Sequence, residues 1–347
     1  MIRIDEIYDN VFAPSIINKP DQSMHYFDPF GRTDAEALQV KPLITHRDKA
    51  FLFWDQEPYF PEVHNPTVKW FDDTFIVNNK TKTEVTFITS EKDSTNVNEL
   101  CQTHGFKSNY YFFHGWAALD WFRGYNRCNL ILQYSERDIT NTFISPNRVV
   151  GGNRTHRLAL FKQMAKHNLL ENNKVSFPRY CPYSGEEVSV DGVDLPLVFA
   201  SEDANNIPNE SYKISLWEES KNSLLQVVTE TVYEQSTLHL TEKVFKPIVM
   251  QMPFVLVGAK HNLEYLRSYG FKTFNEFWDE SYDHLDNNER INAVSKLLTD
   301  LNSLSYKEKA QLQKHLTPVV EHNFNWFYSQ EFENLLWKEL TDMMKQW

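Results

Sequence analysis

The chain has 347 residues, 41% hydrophobic and 14% aromatic, which is more than a single core usually fills, so two domains are expected. A formal net charge of −12 argues against broad electrostatic attachment to nucleic acid or anionic membrane, which depends on Lys and Arg neutralising phosphates; a local basic cleft can still run against the average. Cys101, Cys128 and Cys181 show no CxxC spacing and argue against a disulfide framework or thiolate zinc site; with no apolar run near ~18 residues and no apolar region at the N-terminus, a cytoplasmic protein without a membrane span is expected.

In chain order, strand-length apolar runs alternate with polar and helical stretches. Ala50-Phe51-Leu52-Phe53-Trp54, Glu84-Val85-Thr86-Phe87-Ile88-Thr89, Tyr110-Tyr111-Phe112-Phe113 and Leu130-Ile131-Leu132-Gln133-Tyr134 read as strands. Polar turns such as Asn78-Asn79-Lys80 and Glu91-Lys92-Asp93 separate them, and 115–123 reads as a short helix. The theme repeats with a strand at 142–145, a helix at 153–170, a Pro- and Gly-containing excursion at 178–196 and a strand at 225–228. A helix over 241–250, a strand over 253–257 and helices at 263–269, 291–304, 306–315 and 326–347 complete the pattern. Strands alternating with helices predict parallel α/β sheets. The polar linker Ser135-Glu136-Arg137-Asp138 marks the expected domain boundary.

Four constellations have chemical potential, each with a structural alternative. Asp55 and Glu57 follow a buried strand directly, so either can serve as a general base at the sheet's C-terminal edge, or cap a turn before Pro58. His114 and Trp116 follow another strand; they suit an acceptor, with the indole stacking on a sugar face, or else belong to the packing. Arg154 and Arg157 open a helix behind Gly151-Gly152, without the spacing of a P-loop or of Gly-x-Gly-x-x-Gly; they suit an anionic ligand or a solvated helix start. Thr241-Glu242-Lys243 opens the next helix. It is either ordinary capping or a crevice site where Lys243 meets a diphosphate and Glu242 a ribose diol, because the strands ending near Thr229-Glu230 and at Gly258 converge there. No HxxxH, HExxH or DxD pattern occurs, so no metal site is expected, and no GxSxG elbow points to a serine hydrolase.

The run from Val227 to Gly258 resembles the donor-binding signature of the α-1,3-fucosyltransferase family, whose fold is GT-B. Thr241-Glu242-Lys243 matches the family's Thr-Glu-Lys in full, and Pro253-Phe254-Val255-Leu256-Val257-Gly258 matches its Pro-Val-Val-x-Gly strand. Val228-Thr229-Glu230-Thr231 stands for the family's aromatic-Glu-Asn, with Thr231 in place of Asn, and His239 stands in place of a Tyr. Phe143-Ile144-Ser145-Pro146-Asn147 with Arg154 and Arg157 is similar to its upstream strand, turn and helix. The resemblance spans roughly 140–285. It implies two Rossmann-like domains: an acceptor domain at 1–137, a nucleotide-sugar domain at 138–320, and a C-terminal helix at 321–347 packing across both. It also implies that Lys243 and Arg157 bind the donor diphosphate, Glu242 the ribose, and that Glu230 lies near the transferred sugar, with Arg154, His239 and Thr241 completing the donor site. The base falls in the first domain, Glu57 ahead of Asp55. The expected function is an inverting, metal-independent glycosyltransferase that needs no cofactor beyond a nucleotide-sugar donor, a GDP-sugar ahead of a UDP-sugar, with a fucose-like sugar and a glycan or other hydroxyl acceptor. Two alternatives keep the fold: a phage-type enzyme acting on hydroxymethylated DNA bases, which the net charge disfavours, and a non-catalytic nucleotide- or sugar-binding protein.

Overall fold

Apolar runs such as Phe51-Leu52-Phe53-Trp54 are what a strand needs when both faces of its sheet are covered, because successive side chains point to opposite faces and both must be dry. The structure, a computed structural model, describes residues 2–19, 21–28, 38–40, 48–71, 73, 83–127, 133–182, 184–199, 202, 212–234 and 236–347, without the side chains of Ile17 and 38–40. The chain divides into two units. The first takes in Met1–Asp120, Gln235–His239 and Glu333–Trp347; the second takes in Trp121–Glu234 and Leu240–Phe332. The division thus falls after Asp120, against the 137 expected. The expected strand at 130–134 lies largely outside the described residues, as do Cys128 and the turn at 78–80; Tyr134–Glu136 is a 3-10 turn.

The first unit is built on β1 (Gln22–Phe27), β2 (Leu38–Val40), β3 (Lys49–Trp54), β4 (Glu84–Thr89) and β5 (Lys107–Tyr110), in the order β2-β1-β3-β4-β5. All pairs are parallel except β1 with the edge strand β2. One face of β3 and β4 carries Leu52, Trp54 and Phe87, packed with Tyr59, Val68 and Phe71; Phe27 stacks on Trp54 at 3.7 Å. Phe51 and Phe53 alternate onto the other face, where Phe12 and Trp347 cover them. Three helices follow strands here: α1 (Pro61–Phe71), α2 (Thr95–His104) and α3 (Phe113–Phe122).

The expected strand at 110–113 is corrected by the structure. Gly105 closes α2 in the left-handed region at φ 69°, so the chain turns at once and β5 begins at Lys107. By Phe113 the backbone is already in α3, which puts His114 and Trp116 in a helix. The aromatic run reads as a strand through its β propensity, and the position of the preceding cap overrides that preference.

The second unit holds β6 (Asn141–Ser145), β7 (Lys174–Val175), β8 (Ser223–Thr229) and β9 (Phe254–Val257), all parallel, in the order β7-β6-β8-β9. Every residue of β8 and β9 is buried. Helices α4 (Thr155–Lys166), α5 (Glu242–Val249), α6 (Asn262–Ser268), α7 (Asn287–Asn302) and α8 (Tyr306–Phe327) follow. The expected helix at 306–315 therefore runs on to Phe327. The C-terminal helix α9 (Gln330–Met344) is separate, its start marked by Ser329, whose hydroxyl accepts from the Phe332 N–H at 3.1 Å. From Glu333 onward it completes the first unit: Trp337 packs edge-on to Trp116 at 4.6 Å, and Glu339 accepts from the Phe112 N–H at 2.7 Å. The architecture is α/β with two sheets, parallel but for the edge strand β2, the pair of units expected for a GT-B-like chain.

Candidate functional site

Strand order positions the site. In the second unit the order reverses between β6 and β8, so the connections leave the sheet in opposite directions and a crevice opens beyond the strand ends. A cavity of about 460 Å³ lies there, in the range of small-ligand sites. Its lining includes Ile144, Pro146 and Asn147 from the end of β6, 226–229 from β8, and Glu242, Lys243 and Lys246 from α5. The turn after β6 is locked by Asn147, which is buried. Its amide donates to the Ser145 and Ser176 carbonyls, and its oxygen accepts from the Thr229 hydroxyl at 3.2 Å, so the ends of β6 and β8 are held in register.

Arg148, Arg157, Lys213, Lys243 and Lys246 line this cavity against Glu202 and Glu242. Among the described residues, five basic side chains against two acidic ones make a formally positive recess in a chain of net charge −12. This is the local basic cleft that the overall charge did not forbid.

The Thr241-Glu242-Lys243 turn is both a cap and part of the recess. Thr241 is the extended N-cap of α5, its hydroxyl accepting from the Lys243 N–H at 3.4 Å. That hydroxyl donates to Glu230 Oε2 at 2.6 Å, and the Thr241 N–H donates to Glu230 Oε1 at 3.1 Å. Lys243 Nζ reaches Thr241 Oγ1 at 3.0 Å, Glu242 Oε1 at 3.1 Å and Thr231 Oγ1 at 3.2 Å. An ammonium with three hydrogens is thus held over the helix start, where the helix dipole also favours an anion. Behind it, Val244, Phe245, Ile248 and Val249 anchor α5 in the core.

The other predicted donor residues fall differently. Arg157 is buried in the cavity wall, but its guanidinium already donates to the carbonyls of Val149, Thr229 and Glu230 at 2.8 to 3.2 Å. Glu230 is fully buried and outside the cavity lining; burial, above all, raises its carboxyl pKa, while Lys243 pulls it down. Arg154 lies in the 3-10 turn before α4, also outside the lining. Gly258 follows β9 directly, and a Cβ there would sit 2.6 Å from Asn262 Nδ2 and 3.3 Å from Glu230 Cβ, so the close approach demands glycine. His239 belongs to the first unit, where its ring lies edge-to-face with His114 at 5.1 Å. Both rings are buried, and Trp116, the indole expected to stack on a sugar, is buried against Trp337.

Asp55 and Glu57 sit beyond the end of β3 as expected. Glu57 is half-buried. Asp55 is buried and receives the Tyr8 hydroxyl at 2.8 Å and the Tyr111 hydroxyl; burial pushes its carboxyl up to about 6, with the two hydroxyls pulling the other way. Sequence reading missed Glu91, two residues beyond the end of β4, the parallel neighbour of β3. Its carboxylate accepts from the Tyr59 N–H at 2.7 Å and the Ser94 hydroxyl at 3.2 Å, and burial pushes it up to about 7. The signal was available: an acid just after a strand, as for Asp55.

Among the described residues, no helix is long and apolar enough to cross a membrane, and Cys101 and Cys181 are buried free thiols. No family model matches the chain, and no curated protein does. Among solved structures, T4 phage BGT in complex with its UDP-glucose substrate is similar at 10% identity and a TM-score of 0.38, over 87% of this chain and 73% of that one. A likeness so remote says nothing of what this chain binds.

Proposed function

We propose that this chain is a glycosyltransferase whose second unit holds a nucleotide-sugar donor in the cavity at the β6/β8 reversal. The observation that carries the reading is the meeting of a strand-order reversal, a helix start and a basic recess at one place in an acidic chain. The diphosphate lies at the start of α5 and takes over part of the Lys243 hydrogen-bonding, with Lys246, Lys213 and Arg148 adding positive charge. Glu242 accepts from the ribose hydroxyls, and Ile144, Leu216 and Val228 supply an apolar wall for the base. Arg157, bonded to three carbonyls, shapes the recess in this reading and leaves the diphosphate to the lysines.

The donor is a GDP-sugar ahead of a UDP-sugar, and the sugar is fucose-like, as the family resemblance implies. The acceptor hydroxyl attacks the anomeric carbon as its bond to the diphosphate oxygen breaks, inverting the centre. The hydroxyl's proton passes to a carboxylate of the first unit, Glu57 ahead of Asp55. The basic residues neutralise the leaving diphosphate, and the scheme calls on no metal. The acceptor is a glycan or another hydroxyl compound; the net charge counts against DNA.

The test is calorimetric titration of wild type and Lys243→Ala with GDP, UDP, ADP and CMP. A charge-assisted hydrogen bond of about 1.5–3 kcal/mol predicts a roughly 10- to 100-fold loss of affinity for one nucleoside diphosphate, with little change in melting midpoint. Absence of binding by any of them, or equal affinity in the variant, returns Thr241-Glu242-Lys243 to the role of helix cap. Glu57→Ala should keep donor binding and lose transfer; a non-catalytic binder shows no transfer in either protein.

A further inference from the structure

Histidine scanning by sequence finds no HxxxH or HExxH, yet the fold assembles a three-ligand cluster from two segments. His261 follows β9 by way of Gly258-Ala259-Lys260, and Glu264 lies within the first turn of α6. His284 closes the 3-10 turn Ser281–His284. One ligand atom from each of the three lies within 4.8 Å of the others. His261 Nδ1 is 3.1 Å from Glu264 Oε2 and 3.2 Å from His284 Nδ1, while His284 Nε2 is 3.9 Å from Glu264 Oε1. Ligands about 2.1 Å from a tetrahedral ion lie roughly 3.4 Å apart, so two edges of the cluster are already close to that spacing.

The backbone holds the ligands in place. His261 adopts the left-handed region at φ 65°, sparsely populated for a side chain of its size. Its N–H donates to the Asp283 carbonyl at 3.0 Å, and the Asp283 carboxylate accepts from the Leu263 N–H at 3.2 Å. The segment after β9 is thus fastened to the segment carrying His284. The three side chains are about half exposed, so water can fill the remaining coordination positions.

We propose that His261, Glu264 and His284 bind a divalent transition ion of the zinc, cobalt or nickel class, clipping the turn after β9 to the 3-10 turn. Two imidazole nitrogens and one carboxylate select such ions over magnesium and calcium, which take oxygen ligands. The cluster shares no residue with the lining of the 460 Å³ cavity, so this proposal stands or falls apart from the proposed donor site.

The experiment titrates the EDTA-treated, dialysed full chain with ZnCl2 by calorimetry, and with CoCl2 by visible absorbance. Wild type should take up one equivalent of zinc with a raised melting midpoint, give the d–d bands of a nitrogen- and oxygen-ligated cobalt, and not respond to MgCl2. His261→Ala and His284→Ala should each weaken zinc binding at least 10-fold, and Glu264→Gln, which keeps the side-chain shape, should do the same. His167→Ala, altering an exposed histidine elsewhere, should bind as wild type does. No zinc uptake by wild type, or uptake unchanged in His261→Ala and Glu264→Gln, overturns the proposal.

Discussion

Glu91→Gln is the most direct test of how the first unit handles a buried carboxyl. Burial lifts the Glu91 carboxyl from its ordinary 4.5 to about 7, so the folded chain carries this charge unwillingly. At about 1.4 kcal/mol per pH unit, holding the carboxylate ionised in the fold costs about 3 kcal/mol once the pH is well above 7. The sign follows from the raised value. The fold binds this proton more tightly than the unfolded chain does, so the contribution is fully present below 4.5 and is lost as the pH rises through about 7. Glutamine is the isostere of the protonated acid: its oxygen can keep the Tyr59 N–H, and its amide can donate to the Ser94 hydroxyl, which turns to accept. Buried His25 and half-buried His64, both lowered to about 4 chiefly by desolvation, act in the opposite sense and lose stability as the pH falls through 6.5 toward 4. They are common to both proteins and cancel in the difference. Urea unfolding followed by circular dichroism at pH 5 and pH 8.5 reads that difference. The variant should exceed wild type by about 1 kcal/mol or less at the lower pH and by about 3 kcal/mol at the higher. An equal gap at the two pH values, or a variant less stable at both, refutes the reasoning.

Two further substitutions probe the support of the proposed site in the second unit and the packing of α9 in the first. Gly258→Ala puts a methyl 2.6 Å from the buried Asn262 amide and against Glu230, which holds the N-cap of α5; a loss of about 1–3 kcal/mol is expected in urea titration, with nucleotide affinity falling as the cap shifts. Leu336→Ala empties a fully buried site on α9 beside Gly115, so it should cost about 2–5 kcal/mol and lower the thermal midpoint, although the residue lies near the C-terminus.

Where a segment's role is set by its own neighbours, the sequence was readable. Strands β3, β8 and β9 stand out as largely apolar runs buried on both faces, and β4 and β6 through the shorter apolar pairs Phe87-Ile88 and Phe143-Ile144. Helix α5 stands out because its cap, Thr241, is next to its first turn. β1 was missed because Gln22, Ser23 and His25 are buried polar residues, which break the apolar pattern without leaving the core. The C-terminal helix was legible as a helix, but its assignment to the first unit depends on contacts such as Trp337 with Trp116. The metal-ligand geometry was hidden because His284 lies 23 residues beyond His261.

The same distinction decides what a carboxylate can do. Asp55 and Glu91 lie beyond the paired ends of β3 and β4, where Trp54 stands opposite Thr89, and position alone makes both candidates for proton transfer. The partners of Asp55, Tyr8 and Tyr111, come from far along the chain; Glu91 takes Tyr59 from 32 residues away and Ser94 from the turn just after it. Those partners fill the acceptor positions while burial opposes the charge, and the balance sets the carboxyls at about 6 and about 7. A general base works best when its pKa lies near the operating pH. The C-terminal edge of the first unit's sheet therefore gathers two carboxyls raised into that range by burial, with the hydroxyls and the backbone N–H that hold them pulling the other way. This gives Tyr111→Phe diagnostic value. It removes one donor to Asp55, so the carboxylate loses stabilisation and its pKa should rise. If Asp55 carries the reaction, the acidic limb of a transfer pH profile moves to higher pH; an unmoved limb assigns proton removal elsewhere, with Glu57 the next carboxylate to vary.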